Sequence, residues 1–142
     1  MEQKLIYEEL TGKIRDCAYH VFRDLGAGFL EKVYENALAV ELEEQNIHFE
    51  QQKFVTVSYR GKIVGEYIAD LVIDNKVIVE LKAVRGIEDI HFAQLLNYLK
   101  ATGYEVGLLV NFGPRFTFKR RIYNNQSVSS GSSMVSKRVG YG

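Results

Sequence analysis

The chain has 142 residues, 46% of them hydrophobic, and its 18 basic and 18 acidic side chains cancel to a formal net charge of zero. That is one domain's worth of sequence, enough to bury a core without staples, and its zero net charge neither demands nor forbids a nucleic-acid partner. A lone cysteine excludes an internal disulfide and a cysteine-based zinc cluster, while the absence of a run near the roughly 18 apolar residues of a membrane span, and of a basic-then-apolar leader in MEQKLIYEEL, points to a cytosolic protein.

From about Leu5 to Leu25, Ile6, Leu10, Ile14, Cys17, Val21 and Leu25 recur at three- and four-residue steps, the signature of an amphipathic helix ended by Gly26 and Gly28. Cys17 on its apolar stripe reads as a small buried hydrophobe. A second helix is expected from near Phe29 to Gln45, with Val33, Ala37, Leu38, Val40 and Leu42 inward and Asn46 as terminator. The period then changes. Residues 54–84 are rich in Val, Ile, Tyr and Phe, with turn signals at Arg60-Gly61 and Asp74-Asn75, and predict three consecutive antiparallel strands.

Helical spacing returns from about Glu88 to Thr102, with Ile90, Ala93, Leu96 and Leu99 inward and Gly103 closing the segment. The apolar run EVGLLVNF then reads as a central strand, and a crossover through the preceding helix would pair it in parallel with the strand of Glu80. Phe116–Tyr123 adds an edge strand. The domain is expected to span residues 1–125; from Gln126 on, QSVSSGSSMVSKRVGYG reads as a disordered tail.

Charge is unevenly spread: residues 1–50 hold 11 acids and 5 bases, residues 111–142 hold 6 bases and no acid. Arg115, Lys119, Arg120 and Arg121 are either a phosphate-contacting patch or an ordinary solvated face. The nine Tyr and eight Phe mostly fall at core periodicities, which favours packing over base stacking. His20, His48 and His91 show no i, i+4 pair of the kind that holds a metal on a helix; His91 is a candidate cleft residue, with structural or surface placement expected ahead of it.

The chemistry concentrates in Gly65–Lys82, GEYIADLVIDNKVIVELK, where charges interrupt two strongly apolar strands. Burying an ionised carboxylate or ammonium alone costs several kcal/mol. Asp70, Glu80 and Lys82 must therefore be paired, bound to a cation or open to a cleft. Glu80 and Lys82 share a strand face. If Asp74, Asn75 and Lys76 form a three-residue hairpin loop, Ile73 meets Val77 and Asp70 falls opposite Glu80, so all three charges share one face. Carboxylates at that distance repel unless a cation lies between them, and hard oxygen ligands favour Mg²⁺ or Mn²⁺ over zinc. The competing explanations are a solvated Glu80/Lys82 face or a structural Asp70–Lys82 ion pair.

Helix, three antiparallel strands, helix, strand, with Ala69-Asp70 on one strand and Glu80-Leu81-Lys82 on the next, resembles the PD-(D/E)XK nuclease superfamily. Gly28-Phe29-Leu30-Glu31-Lys32-Val33-Tyr34, GEYIAD, VIVELKAV and AQLLNYLKATG are similar to a narrower group within it, the GxxExxY family, over about residues 5–123. The resemblance implies a restriction-endonuclease-like α/β core, a mixed central sheet flanked by helices. It further implies Mg²⁺ or Mn²⁺ held by Asp70, Glu80, the Leu81 carbonyl and Glu31, with Lys82 beside the scissile phosphate and Gln94 on the crossover helix. Glu31 reads equally as part of an exposed helix face, Gln94 as a core-edge hydrogen bond, and Tyr34 has no derivable role. Ile68 and Phe92 depart from the family's wording, where polar residues are expected.

The function implied is metal-dependent hydrolysis of phosphodiesters in DNA or RNA. The alternatives are a non-cleaving module that binds nucleic acid or another partner on the same fold, and a phosphoesterase acting on small phosphate esters, which needs a closed pocket. A homodimer is left open, since cutting both strands of a duplex takes two active sites.

Overall fold

Five strands form one mixed sheet in the order β1-β2-β3-β4-β5, and the computed structural model describes residues 6–124. The elements run α1 (Glu8–Leu25), α2 (Glu31–Glu44), β1 (Phe49–Tyr59), β2 (Lys62–Ile73), β3 (Val77–Lys82), α3 (Asp89–Thr102), β4 (Val106–Phe112) and β5 (Phe116–Ile122). Only β3 and β4 pair in parallel, as a crossover through α3 requires; the other neighbours are antiparallel. The β1–β2 and β2–β3 hairpins turn through left-handed residues, Arg60-Gly61 and Asp74-Asn75, the backbone that short hairpin turns demand. The expected tail, 126–142, lies outside the described residues. Among those described, no helix is long and apolar enough to cross a membrane.

The central strands β3 and β4 are buried on both faces. Ile14, Cys17 and Val21 of α1 and Tyr34, Leu38 and Leu42 of α2 pack on Leu71, Ile73, Val79, Val110 and Phe112. On the opposite face Leu95, Tyr98 and Leu99 of α3 cover Val55, Ala69, Val72, Ile78 and Leu109. Gly107 lets α3 approach: a Cβ there would lie 2.7 Å from Leu95 Cδ1. Burial also holds the Cys17 thiol as neutral, pushed up to about 11 with help from the Glu41 and Asp16 charges.

Several expected faces differ. On α2, Val33 and Val40 are exposed, and the inward stripe runs through Tyr34, Leu38 and Leu42 with Glu35 beside it. On α3, Leu99 is inward as expected, but Ile90, Ala93 and Leu96 are exposed while Leu95 and Tyr98 are buried. α3 carries apolar residues all around, so several stripes satisfy the helical period and contact with Gly107 decides which one is covered. β1 starts at Phe49, five residues before the apolar run, because polar Glu50, Gln51 and Lys53 already pair with β2.

Tyr34 now has a role. Its fully buried ring stacks on Phe112 at 4.4 Å. Its hydroxyl donates to the Gly26 carbonyl at 2.6 Å and accepts from the Phe29 N–H at 3.1 Å. One side chain thereby fixes the α1–α2 connection and the entry angle of α2, which brings Glu35 to the sheet.

Candidate functional site

β2 and β3 pair at Ile73–Val77, Val72–Ile78 and Leu71–Val79, the register the Asp74-Asn75-Lys76 loop imposes. The next step is Asp70 against Glu80. There the backbone ladder stops and side chains replace it: the Asp70 N–H donates to Glu80 Oε2 at 3.2 Å, and the Leu81 N–H donates to Asp70 Oδ2 at 2.8 Å. Each carboxylate fills the gap between the strands and is held by the other strand's backbone. In an extended strand the N–H and C=O of a residue leave the same edge, so the Leu81 carbonyl faces this gap too.

The gap has a cause in the backbone. On β1, Phe49 faces the α1–α2 layer but Val55 faces α3; on β2, Leu71 and Ile73 face α1–α2 but Ala69 faces α3. Strict alternation would keep each odd-numbered set together. Both strands therefore roll over at the same level, at Gln52 and Asp70, and Gln52 sits there with φ at 53°. A left-handed, non-glycine residue inside a strand is strained. What holds it is Glu35, whose Oε1 accepts from Gln52 Nε2 at 2.8 Å while its Oε2 accepts from Gln51 Nε2 at 2.7 Å and Lys32 Nζ at 3.3 Å.

Electrostatics follow from burial. Glu80 is 5% exposed. Desolvation, then the Asp70 charge, push its carboxyl from 4.5 up to about 9. Desolvation also raises Asp70; the Leu81 N–H opposes that rise and the Glu35 charge adds to it. Tyr98 on α3 is pushed up to about 12 by burial and by the charges of Glu80 and Asp70. Its ring lies 5.2 Å from that of Tyr67, and its hydroxyl accepts from Gln94 Nε2 at 3.4 Å. Gln94 itself is exposed; its hydrogen bond to the hydroxyl of buried Tyr98 is the core-edge bond the sequence allows. Lys82 is half-buried, and its charge lowers both carboxyls, but it forms no ion pair with Asp70 or Glu80, which removes the structural ion-pair explanation.

Glu31 is exposed on the first turn of α2. The acidic group of that helix whose charge bears on Asp70 is Glu35, one turn on and 4% exposed. Two further residues carried no signal in the sequence reading. Asn111 on β4, level with Lys82, accepts from the Val84 N–H and donates to the Val84 carbonyl, both at 2.9 Å, strapping down the chain that leaves β3. Gly113 allows this strap, since a Cβ there would fall 2.1 Å from the Val84 oxygen. His91 closes the α3 capping box with Glu88, a structural role. The basic end does not form one patch: Arg120 donates to the Ile6 carbonyl on the α1 side, whereas Arg121 lies 4.1 Å over the Phe92 ring of α3, because β5 sends alternate residues to opposite faces.

A family model of the PD-(D/E)XK nuclease superfamily matches residues 8–123, which include every residue of this cluster. The chain belongs to the PD-(D/E)XK nuclease superfamily. None of the curated proteins matches it. Among solved structures it is similar to SSO0001, with a TM-score of 0.51 and 22% identity over 73% of this chain and 56% of that one. It is also similar to an alkaline exonuclease of Laribacter hongkongensis, with a TM-score of 0.50 and 10% identity over 75% of this chain and 62% of that one. The chain thus spans less than two thirds of either structure's length, and at these identities the likeness shows the fold: a restriction-endonuclease-like mixed sheet flanked by helices.

Nucleases of the PD-(D/E)XK superfamily generally use divalent metal ions, and the residues here fit one. The buried carboxyl of Glu80 and the half-buried one of Asp70 press together without a cation in ion-pairing range, and an uncompensated charge in that setting is costly. Among the described residues no group of three or more His, Cys, Asp and Glu side chains converges as a metal cage. The carboxylates that meet here are thus Asp70 and Glu80, with neither Glu31 nor Glu35 completing a set of three; a Mg²⁺ ion can be held by one or two protein carboxylates.

Proposed function

We propose that this chain is a metal-dependent, nuclease-like phosphodiester hydrolase of the GxxExxY group, working on DNA or RNA in the cytosol with Mg²⁺ or Mn²⁺. The observation that carries the reading is the interlocked pair of half-buried Asp70 and buried Glu80, set where β2 and β3 part. In this reading Asp70, Glu80 and the Leu81 carbonyl hold the ion, while Glu35 on α2, its oxygens engaged by Gln51, Gln52 and Lys32, stands behind them and the exposed Glu31 stays outside. When bound, the ion neutralises phosphoryl charge and makes a nucleophile available near neutral pH.

The chain's own residues do the rest. Lys82, set level with the Asn111 strap, presents its ammonium to the phosphate as negative charge builds on the equatorial oxygens. Gln94 fixes the Tyr98 hydroxyl, which burial and the nearby Glu80 and Asp70 charges keep neutral across the working pH range. Glu35, clamped by two glutamine amides, keeps Asp70 aligned from the α2 side.

The test incubates purified protein with single- and double-stranded DNA, RNA and free nucleotides in Mg²⁺, Mn²⁺ or EDTA, beside a Lys82→Ala variant. Metal-dependent cleavage of polynucleotide, lost in Lys82→Ala, is the expected result. Binding without turnover in any metal would make the chain a non-cleaving module, and turnover of free nucleotides alone would make it a small-ester phosphatase.

A further inference from the structure

Beyond Gln52 and Asp70, β1 and β2 continue as a two-stranded ribbon that the carboxylate site does not use. From Lys53–Ala69 to Tyr59–Lys62 these strands pair only with each other, since β3 reaches no farther along β2 than Leu71. The side bearing Val55, Val57, Tyr67 and Ala69 packs toward α3. The other side is bare. Phe54 and Ile68 are direct cross-strand partners on it, 69% and 42% exposed, and Val64 and Ile63 extend the exposed apolar surface toward the turn. At the tip the Arg60 guanidinium lies 5.1 Å over the Tyr59 ring, and Lys62 is exposed.

An aromatic–aliphatic pair left in water beside a buried charge cluster marks an interaction surface. Phe54 and Ile68 stand two residues from Gln52 and Asp70, about 7 Å along the strands, roughly one nucleotide step from the carboxylates. The ribbon offers a flat apolar step followed by cations, and an unpaired nucleotide strand offers flat bases followed by phosphates. Glu66, two residues beyond Ile68 on the same face and opposite Thr56, turns phosphates away from the middle of the ribbon, so bases rather than backbone meet it.

We propose that this face binds an unpaired nucleotide strand, one base stacked on the Phe54 ring and packed against Ile68, with the backbone running out toward Arg60 and Lys62. The inference rests on reading Asp70 and Glu80 as a phosphodiester site and deepens it: the substrate is single-stranded, or frayed, at the position next to the cut.

The experiment measures binding of fluorescent single-stranded DNA, single-stranded RNA and blunt duplex of equal length by anisotropy, in EDTA, to the full chain and to Phe54→Ala, Phe54→Trp and Arg60→Ala. Phe54→Ala should weaken single-strand binding about ten-fold or more, Phe54→Trp should preserve it, and duplex binding should not change. Arg60→Ala should weaken single-strand binding and flatten its salt dependence. Phe54 is exposed, so these variants fold. Unchanged single-strand affinity in Phe54→Ala, with Lys82-dependent cleavage intact, overturns the inference and leaves the nuclease reading standing. Neither binding nor cleavage by the unaltered protein overturns both. A concentration-dependent dimer that Phe54→Ala dissolves, with nucleotide binding unmoved, would assign the face to a second copy and likewise overturn it.

Discussion

Replacing Glu80 with Gln isolates the electrostatic cost at the heart of the site. Burial and the Asp70 charge hold the folded Glu80 carboxyl at about 9 against 4.5 in the free side chain, so the folded protein keeps a proton that the unfolded chain gives up. Stability tied to that proton is fully present below the unfolded value and is lost as pH climbs toward the folded one. At about 1.4 kcal/mol per unit, the roughly three and a half units from 4.5 to pH 8 set a ceiling of about 5 kcal/mol on the loss. We expect about 2 kcal/mol, because Asp70 surrenders part of its own charge as its neighbour titrates. Gln keeps the shape and the oxygen that accepts from the Asp70 N–H, and it does not ionise. Urea unfolding in EDTA at pH 5.5, 7 and 8 should therefore show unaltered protein losing stability relative to Glu80→Gln as pH rises. Excess Mg²⁺ at pH 8 should restore the unaltered protein and leave the variant where it was. Parallel stability curves for the two proteins across that range would refute the reasoning.

Three more outcomes are expected. Tyr34→Phe leaves the Gly26 carbonyl and the Phe29 N–H without their partner; it should cost about 1–3 kcal/mol in thermal or urea unfolding, and an unchanged midpoint would contradict the role given to that hydroxyl. Gly113→Ala, whose Cβ would strike the Val84 oxygen, should destabilise by about 1–3 kcal/mol and lower metal-dependent cleavage by loosening the chain after Lys82; full activity in a stable variant would sink the strap argument. Glu35→Gln should reduce metal-dependent cleavage about ten-fold or more while Glu31→Gln does less, and the reverse order in kcat would return the α2 acid to Glu31.

Where local chemistry decides, the sequence was informative. The Asp74-Asn75-Lys76 loop sets a register by itself, and that register delivers Asp70 to Glu80 without knowledge of anything else in the fold. The parallel β3–β4 pairing likewise follows from one helix of ordinary length between two apolar runs. What escaped depends on packing at a distance. Glu35 is invisible as a buried residue because α2 offers several apolar stripes; only Tyr34, pinned by Gly26, Phe29 and Phe112, chooses the one that turns Glu35 inward. The roll of both strands at Gln52 has no compositional sign, since the glutamine is forced into a left-handed backbone by a partner 17 positions away. The basic residues of β5 looked like a patch in one dimension and separate once strand alternation sends Arg120 and Arg121 to opposite faces. Ile68, out of place by the family's wording, sits bare beside Asp70 with Phe54, which is the surface from which single-strand binding is inferred.

The most direct test of the account is a crystal of the full chain soaked in Mn²⁺ and examined at the manganese absorption edge. The account predicts an anomalous peak coordinated by the Asp70 and Glu80 carboxylates and the Leu81 carbonyl, absent in Glu80→Gln. A soaked crystal with no peak there, or with the Lys82 ammonium inserted between the two carboxylates in its place, would contradict it.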